Sequence, residues 1–92
     1  MIVSFRCKHT AALFAGGMPR PFRAIAEVAT RKLTQLDNAA SLDFLRSPPG
    51  NRLEALRGDR AGQHSIRIND QWRLCFRWRN GHAEDVEIVD YH

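Results

Sequence analysis

The chain has 92 residues, of which 43% are hydrophobic, and it carries a formal net charge of +4. This length is enough for one compact core and too short for two, so we expect a single domain over residues 1–92. No apolar run approaches the roughly 20 residues that span a membrane, and residues 1–6 lack the order of a secretory signal. We therefore expect a cytoplasmic protein with no membrane partner.

The cysteines and histidines do not match a known ligand pattern. Cys7 and Cys75 are too few and too far apart for a disulfide framework. Cys7 and His9 form the one close pair, and no second pair follows at the spacing of a zinc site. We expect packing thiols, no metal site and no cofactor.

The opening of the chain predicts a short strand and a short helix. Residues 1–5 are β-prone and form the predicted first strand. Thr10 is the predicted cap of a helix that runs through Phe14 and ends at Gly16.

A longer helix follows, because apolar residues recur at steps of three and four. These residues are Phe22, Ile25, Ala29, Leu33 and Leu36. Pro21 sits near the first turn of the predicted helix, where a missing N–H costs little, and residues 37–38 close it. We expect a helical turn at residues 42–45 and an irregular loop at residues 47–50.

The second half of the chain changes to a period of two, which is typical of half-buried strands. Residues 63–68 alternate, and residues 71–79 alternate strictly. The apolar face of the second segment comprises Trp72, Leu74, Phe76 and Trp78, and its other face comprises Arg73, Cys75, Arg77 and Arg79. A last strand includes residues 86–88. The predicted fold class is α+β, with two to three N-terminal helices packed on one face of a small antiparallel sheet.

The register of the last hairpin predicts the length of its loop. If the apolar residues of both strands share a face, the numbers of cross-strand partners must sum to an even value. A two-residue loop at Asn80 and Gly81 gives an odd sum and turns acids into the core. We therefore expect a loop of three or five residues that begins at Asn80. The outer face of the sheet would then carry Arg73, Arg77 and Tyr91.

Eight arginines and no lysine lie between residues 46 and 79, against three acids. A guanidinium grips phosphate with two hydrogen bonds and stacks on bases, so this stretch is a candidate RNA surface. Arginine-rich codon usage explains the same excess, and charge alone does not decide between these explanations. The arginines that we expect to contact RNA are Arg52, Arg57, Arg60, Arg67 and Arg77.

Four short motifs are specific in combination. They are LEALRGDR at residues 53–60, SIRIN at 65–69, QWR at 71–73 and the terminal DYH at 90–92. Together they resemble the HigB, or plasmid-maintenance killer, branch of the RelE-like toxins. The resemblance implies ribosome-dependent cleavage of messenger RNA and a HigA-like helix-turn-helix antitoxin. It also implies that the pair represses its own promoter, which makes operator DNA an indirect partner through the antitoxin.

Metal-free RNA cleavage needs a base for the 2′-OH, an acid for the departing 5′-oxygen and cations for the charge on phosphorus. We expect Arg73 to be the cation and His92 to transfer protons, and the terminal carboxylate favours the acid role for His92. Tyr91 would stack on a base or donate to phosphate, and Asp90 would orient Arg73 or His92. In family members with a described site, the position of Glu54 can be a histidine. Glu54 can serve as a base there but not as a cation.

Other interpretations remain open. ParE-like relatives share the architecture but inhibit DNA gyrase, and a plain RNA-binding or ribosome-binding module would hold phosphate without cutting it. A histidine at a C-terminus is commonly idle. Arg73 or Arg77 can also simply pair with an acid of the last strand.

Overall fold

A four-stranded antiparallel sheet forms the second half of the chain in the computed structural model, which describes residues 1–90. Its strands follow chain order: β1 (Glu54–Ala55), β2 (Gln63–Arg67), β3 (Trp72–Arg79) and β4 (His82–Asp90). The helices are α1 (Lys8–Phe14) and α2 (Ala26–Asn38), with 3₁₀ segments at Arg20–Ile25, Leu42–Arg46, Pro49–Asn51 and Gly58–Arg60. Both helices contact the sheet, which confirms the α+β prediction. Within residues 1–90, neither helix is long and apolar enough to cross a membrane.

The predicted apolar stripe forms the inner side of α2 and of the 3₁₀ turn before it. All five of its residues are buried, and they share one core with even-numbered residues of β2 and β3 such as Phe76. The helix starts later than predicted, because residues 20–25 adopt the tighter 3₁₀ geometry and α2 begins at Ala26. It ends at Asn38, as the sequence predicts.

The N-terminal segment lies along β4. The predicted regular strand at residues 1–5 is wrong, because the segment makes two isolated parallel bridges to β4 instead of a continuous ladder. The bridges join Ile2 to Ala83 and Phe5 to Val86. They occupy backbone groups on a sheet edge that would otherwise be open to another chain.

Thr10 does not cap α1, so that prediction is also wrong. The N-cap is Cys7, which makes no side-chain capping bond. Thr10 lies inside the helix, completely buried, and its hydroxyl accepts a hydrogen bond from the backbone N–H of Ile88 at 3.1 Å. The hydroxyl therefore satisfies the backbone N–H of Ile88, which β3 does not use in the strand ladder.

The β3–β4 hairpin closes through the two residues Asn80 and Gly81, so the predicted loop of three or five residues is wrong. Both have positive φ, 52° and 79°, as in a type I′ turn. Partner numbers sum to an odd value next to the turn and to an even value from Cys75 onward. A bulge between these stretches, where Asp85 has a φ of 52°, supplies the extra residue that we assigned to the loop.

Candidate functional site

The face of the sheet opposite the helices, called here the outer face, is covered by its own polar side chains. Alternation along β3 places Arg73, Cys75 and Arg77 there, with Ser65 of β2 directly opposite Cys75. Cys75 and Ser65 are completely buried although no helix covers them. Charged side chains from both ends of the face therefore lie over its centre.

Arg73 is held from three directions. Its Nε donates to Ser65 Oγ at 2.8 Å, and its Nη2 donates to the backbone oxygen of Arg52 at 2.8 Å. The same Nη2 lies 3.4 Å from Glu54 Oε1. The Arg73 side chain is only 11% exposed, whereas that of Glu54 is 55% exposed. The result is a guanidinium of fixed orientation beside a solvent-accessible carboxylate.

A second cation faces Arg73 across the sheet. Arg67 of β2 is its direct cross-strand partner, an arrangement of like charges that destabilises a sheet unless an anion lies nearby. Asp70 forms an ion pair with Arg67 but is itself almost fully exposed. Burial, together with the nearby Arg31 and Arg67, lowers the pKa of Lys32. Three cations therefore lie near one another here, Lys32, Arg67 and Arg73, with the acids Glu54 and Asp70 paired to two of them.

A separate network covers the other part of the outer face. Arg60 donates to Glu87 Oε1 at 2.7 Å and to Gln63 Oε1 at 3.0 Å. Burial raises the pKa of the Cys75 thiol to about 11, so this thiol stays protonated and is a packing group, not a nucleophile. Arg60, which we predicted to contact RNA, is bonded within the fold, and its RNA contact stays a prediction.

The remaining predicted RNA-binding arginines differ in their surroundings. Arg77 lies with its Nε 3.6 Å from Asp85 Oδ2, so the alternative that it pairs with an acid of β4 is observed. Arg52 and Arg57 are exposed. Within residues 1–90, neither of their guanidinium groups makes a hydrogen bond or ion pair.

The C-terminal end of β4 lies beside Arg73. Asp90 pairs with Trp72, the residue before Arg73, and so lies at the same end of the sheet. Tyr91 and His92, which we predicted to stack on RNA and to transfer protons, lie outside the described residues. Their roles stay predictions.

Sequence reasoning missed two contributors to this arrangement. Ser65, which orients Arg73, is marked in the sequence only as a small polar residue in an alternating strand. The backbone oxygen of Arg52 has no sequence signal, because any residue supplies one.

The groups of the site can perform acid–base chemistry on an anion. Glu54 can accept a proton, and the Arg73 guanidinium can donate to an oxygen of a phosphate. Among the side chains of residues 1–90, no group of three or more His, Cys, Asp or Glu could hold a metal ion.

Comparisons with known proteins agree on one family. A family model described as the RelE-like toxin of the type II toxin-antitoxin system HigB matches residues 18–92. The chain is 48% identical over 60 residues to Toxin HigB-1 of Vibrio cholerae. The matched stretch is 65% of this chain and 63% of that protein. It is 35% identical over 62 residues to a Haemophilus influenzae protein, covering 61% of its length. It is 33% identical over 94 residues to Endoribonuclease HigB of Proteus vulgaris, with 100% of both chains covered.

Solved structures of low sequence identity share the fold. YafQ from Escherichia coli superposes with a TM-score of 0.67 at 11% identity, over 98% of this chain and 93% of YafQ. A chain of the YoeB-YefM complex from Staphylococcus aureus superposes with a TM-score of 0.61 at 16% identity, over 100% of this chain and 98% of that one. With the family match over most of its length, the chain belongs to the HigB-like family of RelE-like toxins of type II toxin-antitoxin systems.

Proposed function

We propose that this protein is an endoribonuclease that cleaves messenger RNA on the ribosome and serves as the toxin of a type II toxin-antitoxin pair. The observation that carries this proposal is the fixed guanidinium of Arg73, beside the carboxylate of Glu54 and opposite a second cation, Arg67. A relative matched along its whole length is named an endoribonuclease, which supports the same activity.

The proposed reaction is an internal transfer at one phosphodiester. The 2′-oxygen of the ribose attacks the adjacent phosphorus and displaces the 5′-oxygen, which leaves a 2′,3′-cyclic phosphate and a 5′-hydroxyl. Glu54 takes the proton from the 2′-OH, since its carboxylate is exposed to solvent beside the cation. Arg73 binds the non-bridging oxygens, where negative charge grows in the transition state. No step in this scheme requires a metal ion.

The departing oxygen needs a proton donor. His92 is the proposed donor, since an imidazole exchanges protons near neutral pH. Tyr91 stacks on the base beside the cut, and Asp90 orients the groups at this end of β4.

The RNA backbone is proposed to follow the exposed cations around Arg73. Arg52 and Arg57 are exposed, and Arg67 lies across the sheet from Arg73. These three hold the phosphates that flank the scissile one. Arg60 and Arg77, which also bind acids of β4, contribute at the rim of the site.

The proposed partners follow from the family. The toxin acts in the cytoplasm on the ribosome and its message. A HigA-like helix-turn-helix antitoxin holds it inactive, and the pair reaches operator DNA through the antitoxin. A solved relative of the same fold was crystallised as a toxin-antitoxin complex, which supports an antitoxin partner here.

A translation extract that contains a defined message tests the activity. Primer extension should map new 5′ ends inside the reading frame when the purified toxin is added, and none when ribosomes are omitted. Intact message combined with inhibition of DNA gyrase in a supercoiling assay would favour the ParE-like alternative instead. Intact message that is nevertheless bound would indicate a non-catalytic RNA-binding module.

A further inference from the structure

A cluster of polar side chains around one buried asparagine fixes the loop that precedes β1. At its centre is Asn51, which is completely buried. Its Oδ1 accepts a hydrogen bond from Lys32 Nζ, and its Nδ2 donates to Gln35 Oε1 and to the Leu45 oxygen, both at 3.1 Å. Gln35 in turn donates to the Ser47 oxygen at 2.6 Å. The loop is therefore bonded to α2 through Asn51 and through the direct contact of Gln35 with Ser47.

An asparagine suits this position better than other polar residues. Its oxygen offers an acceptor to a partly buried ammonium, that of Lys32, while its NH₂ group offers two hydrogens to oxygen atoms of α2 and the loop. An aspartate would supply the acceptor but neither donor. A buried amide with partners on both of its ends holds one orientation, because rotation leaves groups unsatisfied.

The residue after Asn51 connects this cluster to the site. Arg52 has left-handed backbone angles, φ 46° and ψ 55°, and its N–H donates to the Pro49 oxygen at 3.1 Å. This conformation is uncommon for a residue other than glycine and persists only when the surroundings hold it. It directs the Arg52 oxygen at Arg73 Nη2, 2.8 Å away.

We propose that Asn51 is a positioning residue for Arg73, acting through the backbone of Arg52. Asn51 is too deeply buried to contact RNA, so its effect reaches the reaction through the backbone of Arg52 and the Arg73 guanidinium that this backbone orients. Ser65 Oγ accepts the hydrogen bond of Arg73 Nε, and the Arg52 oxygen accepts that of Arg73 Nη2. The expected effect of Asn51 on activity rests on the RNA cleavage proposed above. Its expected effect on the orientation of Arg73 does not.

The kinetic test uses Asn51→Ser, whose hydroxyl is too short to reach both Lys32 and Gln35, and Gln35→Met as a milder second variant. Single-turnover cleavage on programmed ribosomes should show a maximal rate lowered about tenfold, because a small misplacement of a catalytic group is costly. The half-saturating toxin concentration should change less than the maximal rate, since Asn51 contacts no RNA itself and Arg52 is only one of several proposed phosphate contacts. Thr10→Val is the matched control. It removes one buried hydrogen bond, between α1 and β4, and β4 lies at the opposite edge of the sheet from β1.

A double-mutant cycle separates positioning from general loosening of the fold. In an Arg73→Lys background, Asn51→Ser should lower the maximal rate by no more than about a further twofold, because the group that it orients is already gone. Losses that multiply would overturn the proposal. So would a rate for Asn51→Ser no lower than that of Thr10→Val at matched thermal stability.

Proton exchange at Arg73 tests the contact independently of activity. The Arg73 Nη2–H signal in nitrogen-edited NMR should exchange with water about tenfold faster in Asn51→Ser than in the wild type, because Nη2 is the nitrogen that donates to the Arg52 oxygen, and at an unchanged rate in Thr10→Val. Unchanged exchange in Asn51→Ser would overturn the proposal whether or not RNA is cut. A wild-type protein that cuts no RNA would refute the nuclease proposal. Faster exchange in Asn51→Ser would still support the positioning role in that case.

Discussion

Arg73 has the fixed orientation that a transition-state cation needs. Its side chain is mostly buried and donates hydrogen bonds through Nε and Nη2, so its orientation is set before any substrate arrives. Preorganised charge of this kind requires little reorganisation during the reaction. The carboxylate of Glu54 lies 3.4 Å from the guanidinium and balances its charge in the absence of substrate.

Replacing Arg73 with lysine should lower the maximal cleavage rate by about a hundredfold or more, because a positioned donor is lost even though the charge remains. Single-turnover cleavage on ribosomes measures this rate. Arg79→Lys is the matched control, since Arg79 lies on the same strand with a side chain that is 70% exposed. Equal activity of the two variants would contradict the role of Arg73.

Cys75 should resist alkylation in the folded protein. Its thiol is completely buried, and its pKa is raised to about 11 by burial, so little reactive thiolate forms at pH values near 8. Mass spectrometry after treatment with iodoacetamide should find Cys7, which is partly exposed, labelled before Cys75. Labelling of Cys75 at a rate equal to that in urea would contradict this prediction.

His64 should make stability depend on pH. Its Nδ1 is buried and lacks a hydrogen-bond partner among residues 1–90, and burial lowers its pKa from 6.5. The unfolded chain therefore takes up this proton at a higher pH than the folded chain, so stability is full above pH 6.5 and falls as the pH drops below it. Urea titrations should show a smaller decline between about pH 6.5 and 5 for His64→Gln. Equal declines in the wild type and in His64→Gln would show that His64 does not cause the pH dependence.

The bulge in β4 lets a tight turn and a one-sided core coexist. Without it, the odd register beside Asn80 and Gly81 would continue along the hairpin and turn acids toward the helices. With it, Val86 and Ile88 reach the core while Glu87 stays on the outer face, where it binds Arg60. The composition of the outer face therefore depends on the left-handed backbone of Asp85.

Asp85→Val should destabilise the protein relative to Asp85→Asn by about 1–2 kcal/mol, because a β-branched residue fits poorly at positive φ. Asparagine tolerates this conformation, and the comparison cancels the loss of the weak pair with Arg77. Chemical denaturation of both variants measures the difference. Equal stability would show that the bulge relaxes without cost.

The sequence predicts the elements wherever local periodicity decides the structure. The apolar stripe of α2 and the alternation of β3 both occur as predicted. The failures occur where a distant contact decides. Thr10 has the side chain of a capping residue, but its hydroxyl bonds Ile88, far along the chain. An aspartate at positive φ has no periodic signature, so the bulge at Asp85 was not predictable.

The site follows the same division. Arg73 and Glu54 are brought within 3.4 Å, and Arg67 faces Arg73, as a shared phosphate site requires. The strand pattern alone did not predict that pairing, because it depends on the register of β2 against β3. The buried cluster around Asn51 was missed for a similar reason. Its partners Lys32 and Gln35 lie on α2, and only the packing of loop against helix brings them together.

The whole molecule packs its helices on one face of the sheet and carries Arg67, Arg73 and Arg77 on the other, the face that we propose binds RNA. Its N-terminal segment occupies part of the exposed edge of β4. Solved structures of low sequence identity share this fold, so function has to be argued from the residues of the outer face and not from the fold itself.

The most direct test of the proposed chemistry replaces one ribose, at the mapped cleavage position of a message, with 2′-deoxyribose. The scheme predicts that cutting stops at that position, and that the unmodified message yields a 2′,3′-cyclic phosphate or 3′-phosphate and a 5′-hydroxyl. Cleavage of the deoxy message at an unchanged rate, with a 5′-phosphate on the product, would contradict attack by the 2′-oxygen and the roles given to Glu54 and Arg73.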